Sequence, residues 1–213
     1  MGQKPKLLGY YNYTVIMTYI GMLIGFIGIA FAFENNITRA VICLLVSGFF
    51  DMFDGAIAST RKRTQQEKCF GIQIDSFSDL VCFGVLPAII VYSQSGSNRI
   101  VLCVSALYLL CALIRLAFFN VDEQDRQQNC STAREIYYGL PVTIAALIIP
   151  IVYSAVCLFS WNIVAIQAII LLIMAILFLL PFQLRKPKLP GKICLLLCGV
   201  FAVWFVIFVT RSL

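Results

Sequence analysis

Residues 51–59 read DMFDGAIAS and residues 71–80 read GIQIDSFSDL. Each stretch lies at one end of an apolar segment: Ile37–Ala58 runs into the first, and the second opens Ile72–Ser93. Asp51 and Asp54 are spaced i, i+3, and Asp75 and Asp79 are spaced i, i+4. Both spacings put two side chains on one face of an α-helix. A short polar connection joins the segments, so they run antiparallel and their carboxylate ends can meet. Charged groups near membrane depth are costly and by default mark function. The weight of these four aspartates therefore depends on whether the surrounding chain is a membrane protein.

Composition answers that. Of 213 residues, 61% are hydrophobic and 12% charged, and mean hydropathy is +0.93. An ordinary soluble domain is about 25% charged. No water-soluble fold of this length could cover so much apolar surface, whereas lipid solvates the outer faces of a polytopic membrane protein. Six or seven stretches are long enough to cross roughly 30 Å of hydrocarbon. They lie near Thr14–Phe33, Ile37–Ala58, Ile72–Ser93, Ile100–Phe119, Leu140–Phe159, Trp161–Phe182 and Ile193–Val209. The first is expected to remain as a span, because its apolar run is too long for a cleaved signal and no small-residue cleavage pattern follows it. The expected fold class is an all-α integral membrane protein. It forms a single polytopic domain over residues 1–213, with a core over about 10–182 and an additional C-terminal transmembrane helix over about 190–210. Pro187, Pro190 and Gly191 break the chain before that last helix.

Basic residues set the expected orientation. With the N-terminus in the cytoplasm, seven spans place Lys4, Lys6, Arg61, Lys62, Arg63, Lys68, Arg115, Arg126, Arg134, Arg185, Lys186, Lys188 and Lys192 on the inner side. Only Arg39, Arg99 and Arg211 fall outside, and the positive-inside rule favours this arrangement over its mirror image. The aspartates then face the cytoplasm from a multi-pass protein of the cell membrane. The net charge of +6 reads as topology and lipid-headgroup contact, and no nucleic-acid partner is expected. The nine cysteines lie mostly inside apolar runs, no Cys-x-x-Cys pair occurs and histidine is absent. That pattern argues against structural zinc and thiol redox chemistry and for small core residues.

Four clustered carboxylates repel one another in a low dielectric, and either protonation or bound cations relieves that repulsion. Oxygen-only ligands favour hard ions such as Mg²⁺ or Mn²⁺. Four carboxylates suffice for two such ions, which suits displacement at phosphorus with a diphosphate held between the ions and the basic loop. Gly55 directly follows Asp54, and Gly71 stands four residues before Asp75. Taken alone, Gly55 reads as a helix-packing glycine and Gly71 as a helix-start turn. Beside the carboxylates, both read as places where backbone or substrate approaches closely. A proton or ion relay in an ion-coupled transporter is the competing use of such acids. A relay needs a path across the membrane, and these acids all sit at one side.

Asp51, Asp54, Gly55, Ala58, Gly71, Asp75 and Asp79 fall in order on a pattern that resembles the CDP-alcohol phosphotransferase signature, D-x2-D-G-x2-A-R-x8-G-x3-D-x3-D. Two features depart from it. Ser59 stands where the arginine is usual, and the stretch to Gly71 is three residues longer, with Arg61, Lys62 or Arg63 as candidates for the missing charge. The flanking segments SFSDLVCFGVLPA, LIRLAFFNV and YYGLPVT, and NYT at Asn12–Thr14, are similar to the CDP-diacylglycerol–serine phosphatidyltransferase branch of that family. Phe118 replaces a second arginine frequent in the branch. The similarity covers roughly residues 10–150.

The resemblance implies a six-transmembrane-helix core, a homodimer, and an active site at the cytoplasmic interface. It implies two divalent ions, Mg²⁺ or Mn²⁺, one held by Asp51, Asp54 and Asp75 and the other by Asp51, Asp75 and Asp79. Asp79 would serve as base toward the incoming alcohol. Gly55, Ala58, Ser59, Gly71 and Thr14 would surround the CDP diphosphate, and the lipid tails would remain in the bilayer. The substrates would be CDP-diacylglycerol and L-serine, giving phosphatidylserine and CMP. Serine carries a carboxylate that a guanidinium suits, so Arg115, Asn120 and Arg134 are candidates for holding serine or a lipid phosphate. The alternative for Arg115 is simple snorkelling to the interface. Glycerol 3-phosphate or inositol phosphate as acceptor, or an archaeal ether lipid as donor, would leave the chemistry unchanged. The Asn120–Tyr138 stretch offers Arg126 and Arg134 against four acids, which favours zwitterionic serine over a phosphorylated acceptor.

Overall fold

The structure, a computed structural model, describes residues 9–58, 60–129, 136–159, 161–185 and 189–212, with side chains at all of these except 126–138, 184–196 and 209–212. Seven helices run through it. They are α1 (Tyr13–Phe33), α2 (Ile37–Ala58), α3 (Gln65–Ser93), α4 (Arg99–Asn129), α5 (Ala145–Phe159), α6 (Ile163–Leu179) and α7 (Leu189–Ser212). Among the described residues, α1 to α4 and the stretch Val142–Phe159 are long and apolar enough to cross a membrane. The sixth and seventh expected spans appear as shorter apolar stretches, Ile163–Leu179 and Leu197–Phe208. The chain is an all-α membrane protein.

Local chemistry sets the helix starts. The Asn12 side chain caps α1, accepting the Thr14 N–H at 3.1 Å. Thr64 and Glu67 form a reciprocal capping box on α3, with the Thr64 N–H donating to Glu67 Oε2 at 2.8 Å. That cap starts α3 at Gln65, seven residues before the apolar run announces it. Likewise α4 continues ten residues past Phe119 to Asn129. Hydropathy detects only the lipid-facing part of a helix, and both extensions are polar.

Small residues let α1 come close to its neighbours. Gly21, Gly25 and Gly28 lie on its buried face. A Cβ on Gly25 would stand 2.5 Å from Cys82 Sγ, and one on Gly28 would stand 2.8 Å from Cys43 Cβ. Such spacing of small residues is how helices pack when lipid removes the hydrophobic drive between them. Elsewhere α4 packs on α6, and α7 packs on α5 and α2.

Within α3 the turn from Leu80 to Val85 widens to π geometry, and the Leu86 N–H bonds Val81 O. Pro87 follows, and a proline removes the bond to the carbonyl four residues earlier. That carbonyl belongs to Phe83, and it accepts the Tyr108 hydroxyl of α4 at 2.5 Å. Tyr108 is fully buried, so a backbone group freed in the membrane interior finds its partner there.

A two-stranded antiparallel ribbon was not foreseen from the sequence. β1 (Ile136–Tyr138) pairs with β2 (Gln183–Arg185), Tyr137 opposite Leu184. It ties the α4–α5 and α6–α7 connections together at the end of the bundle where α2 meets α3.

Candidate active site

The carboxylates come from two helix ends. Asp51 and Asp54 belong to the last two turns of α2, and Asp75 and Asp79 to the turns of α3 just before its π segment. One carboxylate oxygen from each of Asp51, Asp54 and Asp75 lies within 4.8 Å of the other two. An octahedral ion with bonds of about 2.1 Å separates opposite ligands by ~4.2 Å, so a small inward adjustment would make this trio a ligand set. Asp79 stands outside the trio and against Asp51, while Asp75 faces Asp54. No basic side chain forms an ion pair with any of the four among the described residues. A cluster of anions in a low-dielectric setting with no cationic partner among the described residues fits a hard divalent cation, and its all-oxygen donors suit Mg²⁺ or Mn²⁺.

Surrounding helices hold the cluster. The Thr18 hydroxyl of α1 donates to Asp54 Oδ2 at 3.0 Å in a buried setting. Ser78 Oγ donates to Thr18 O, and Ser47 Oγ donates to Gly21 O at 3.0 Å. A cleft lined by Thr18, Gly21, Ser47, Asp51, Asp54, Ser78, Asp79 and Cys82 runs beside the carboxylates. Sequence reading had singled out Thr14 and missed Thr18. Thr14 is buried, and its hydroxyl donates to Asn12 in the helix cap. The available signal was the pair of hydroxyls one turn apart on an otherwise apolar helix.

A Cβ on Gly55 would meet nothing within 4 Å, so Gly55 packs against no neighbouring helix of this chain among the described residues. Gly71 lies inside α3, six residues past its first residue, so it is not a helix-start turn. A Cβ there would meet one group, Arg63 Nη1, at 3.2 Å. Ala58 ends α2 one turn after Asp54. Ser59 and Arg134 lie outside the described residues.

Asn120 reaches the site's edge. Ser76 Oγ, next in the chain to Asp75, donates to Asn120 Oδ1 at 2.6 Å, and Asn120 Nδ2 donates to Gln73 Oε1 at 3.5 Å. Arg115 is 7% exposed and holds the turn that opens α5. Its Nε donates to Leu140 O at 3.2 Å, and its guanidinium lies 5.3 Å from the centre of the Phe119 ring. Gly139 there has φ +71°, and a Cβ on it would crowd Phe178 O and Leu180 O. These contacts make Arg115 a fixed part of the bundle end and not a side chain snorkelling outward.

The model of the CDP-alcohol phosphatidyltransferase family matches residues 11–210, nearly the whole chain. The chain belongs to the CDP-alcohol phosphatidyltransferase family. Among its relatives, the archaetidylserine synthase of Methanothermobacter thermautotrophicus is 29% identical over 154 residues, 72% of this chain and 62% of that one. A CDP-diacylglycerol–serine O-phosphatidyltransferase of Saccharomyces cerevisiae is 33% identical over 147 residues, covering 63% of this chain and 52% of its own. The enzyme of that name from Helicobacter pylori is 32% identical over 141 residues, covering 65% and 56%. The chain thus spans between about half and somewhat under two thirds of the length of these relatives. The CDP-alcohol phosphatidyltransferase signature read in the sequence is the part of the fold where the aspartates converge.

Proposed function

We propose that this chain transfers the phosphatidyl group of CDP-diacylglycerol to the hydroxyl of L-serine, giving phosphatidylserine and CMP. The observation that carries the reading is the convergence of Asp51, Asp54 and Asp75 from two helices of a family whose relatives include serine phosphatidyltransferases.

Asp51, Asp54 and Asp75 would hold one divalent ion, and Asp51, Asp75 and Asp79 the second. When bound, the ions supply charge neutralisation of the diphosphate and of the departing phosphate. Thr18 fixes the rotamer of Asp54, so that carboxylate is presented without reorganisation. The serine oxygen forms a bond to the lipid-bearing phosphorus. The bond from that phosphorus to the bridging oxygen breaks, and CMP departs with the electron pair. The serine proton passes to the Asp79 carboxylate, which lies beside Asp51 on the cleft wall. Gly55 leaves open space for the nucleotide and Gly71 lets Arg63 approach closely, and Ala58, Ser59 and Thr14 would flank the nucleotide. Arg115, Asn120 and Arg134 would orient the serine carboxylate or the lipid phosphate. Of these, Asn120 has the strongest geometric support, since Ser76 binds it next to Asp75.

The reading places the carboxylate end toward the cytoplasm of a cell membrane, in a homodimer. The similarity to an archaetidylserine synthase supports a second reading, in which the donor is an ether lipid and the acceptor is still serine.

The test is CMP release by the detergent-solubilised protein with Mg²⁺ and CDP-diacylglycerol or its ether analogue, supplied separately with L-serine, glycerol 3-phosphate or inositol phosphate. Release that requires serine supports the proposal, and the better donor separates its two forms. Release with a phosphorylated alcohol instead would overturn the acceptor.

A further inference from the structure

The stretch between α2 and α3 carries Arg61, Lys62 and Arg63, and α3 adds Lys68 in its first turn. Their situations differ. Arg61 Nη2 lies 3.6 Å from Glu67 Oε1 and is neutralised by it. Glu67 is fixed in turn by the Thr64 cap and by Asn12 Nδ2 at 3.2 Å. Lys62 and Lys68 are exposed. Arg63 is half-buried, and no acidic side chain pairs with it among the described residues. Its guanidinium lies over Gly71, where a Cβ would come within 3.2 Å of Nη1 and would meet no other group within 4 Å.

Gly71 and Asp75 are four residues apart in α3, hence on one face and about 6 Å apart along the axis. A half-buried guanidinium with no acidic partner among the described residues, one turn from a carboxylate cluster, is poised for an anion that bridges the two. A planar five-donor guanidinium matches phosphate oxygens in a way an ammonium does not. We propose that Arg63 is a substrate-positioning residue that binds the diphosphate of the CDP-linked donor from the side opposite the carboxylates. This rests on the nucleotide reading of the site given above. Of the three candidate charges in the loop, the structure thus favours Arg63, with Arg61 engaged in holding the loop and Lys62 in solvent.

Binding of CDP and of cytidine to the full-length protein in Mg²⁺, measured by calorimetry, tests it with Arg63→Ala, Arg63→Lys and Lys62→Ala. Arg63→Ala should weaken CDP at least about ten-fold and cytidine less than two-fold, since only CDP carries the diphosphate. Arg63→Lys should recover part of the loss, and Lys62→Ala should bind CDP as the wild type does. The KM for CDP-diacylglycerol should rise in Arg63→Ala while that for serine stays put. Unchanged CDP affinity in Arg63→Ala would overturn the role. Equal losses for CDP and cytidine would also overturn it, showing a merely structural arginine. Wild-type protein that fails to bind CDP in Mg²⁺ would overturn the nucleotide reading and this proposal together.

Discussion

Asp51, Asp54, Asp75 and Asp79 were legible as residues because each violates the apolar rule of the segment holding it. Replacing Asp51 or Asp75 by Asn should lower turnover at least about 100-fold, more than is usual for losing a group that only supports a metal ligand. The same changes should raise the melting temperature in EDTA, because each removes one of several like charges held close together without a cation. Loss of several degrees instead would show that the carboxylates hold the fold. Thr18 was barely legible, since two threonines one turn apart in a span have many uses. It became a site residue only through its bond to Asp54. Thr18→Val keeps the shape and removes the donor. It should lower turnover by roughly ten-fold and shift the Mg²⁺ titration to higher concentration, the magnitude seen for orienting groups around metal ligands. A Mg²⁺ titration matching the wild type would remove Thr18 from the site.

Helices were legible where lipid dictates them, since a backbone without water must satisfy itself internally. Their ends were less so. The Thr64–Glu67 cap and the polar continuation of α4 to Asn129 extend two helices beyond the apolar signal. The π turn from Leu80 to Val85 had one readable cause, Pro87, but the partner that makes it tolerable lies on another helix. Tyr108→Phe would leave Phe83 O buried without a donor. It should destabilise the protein by about 1–3 kcal/mol, seen as a lower melting temperature in detergent. Because the π turn begins directly after Asp79, turnover should fall as well. A Tyr108→Phe protein as stable as the wild type would show that the carbonyl has found another donor.

The whole molecule joins two kinds of construction. Apolar helices in lipid lead to a polar end where three connections meet, two of them tied together by the β1–β2 ribbon. Since the acidic cluster exists only in the folded state, a cation that binds it should stabilise the fold by mass action. At 100 times its Kd, Mg²⁺ should add about 2.7 kcal/mol, and the melting temperature should rise with Mg²⁺ and fall back in EDTA. A melting temperature indifferent to both would mean that the aspartates bind no ion. By itself the sequence determined the membrane class, the positions of the spans and the helix faces that carry the aspartates. Those follow from apolar content, the thickness of the hydrocarbon and the 3.6-residue turn, all local quantities. Only the tertiary structure decided that Thr18 supports Asp54, that Asn120 meets Ser76 beside Asp75, that Tyr108 satisfies Phe83 O and that Arg63 lies over Gly71. Most of these pairs join residues far apart in the chain, and Arg63 meets Gly71 only through the fold of its loop. Such contacts are set by how helices rotate and approach in packing, which no periodicity along a single segment encodes.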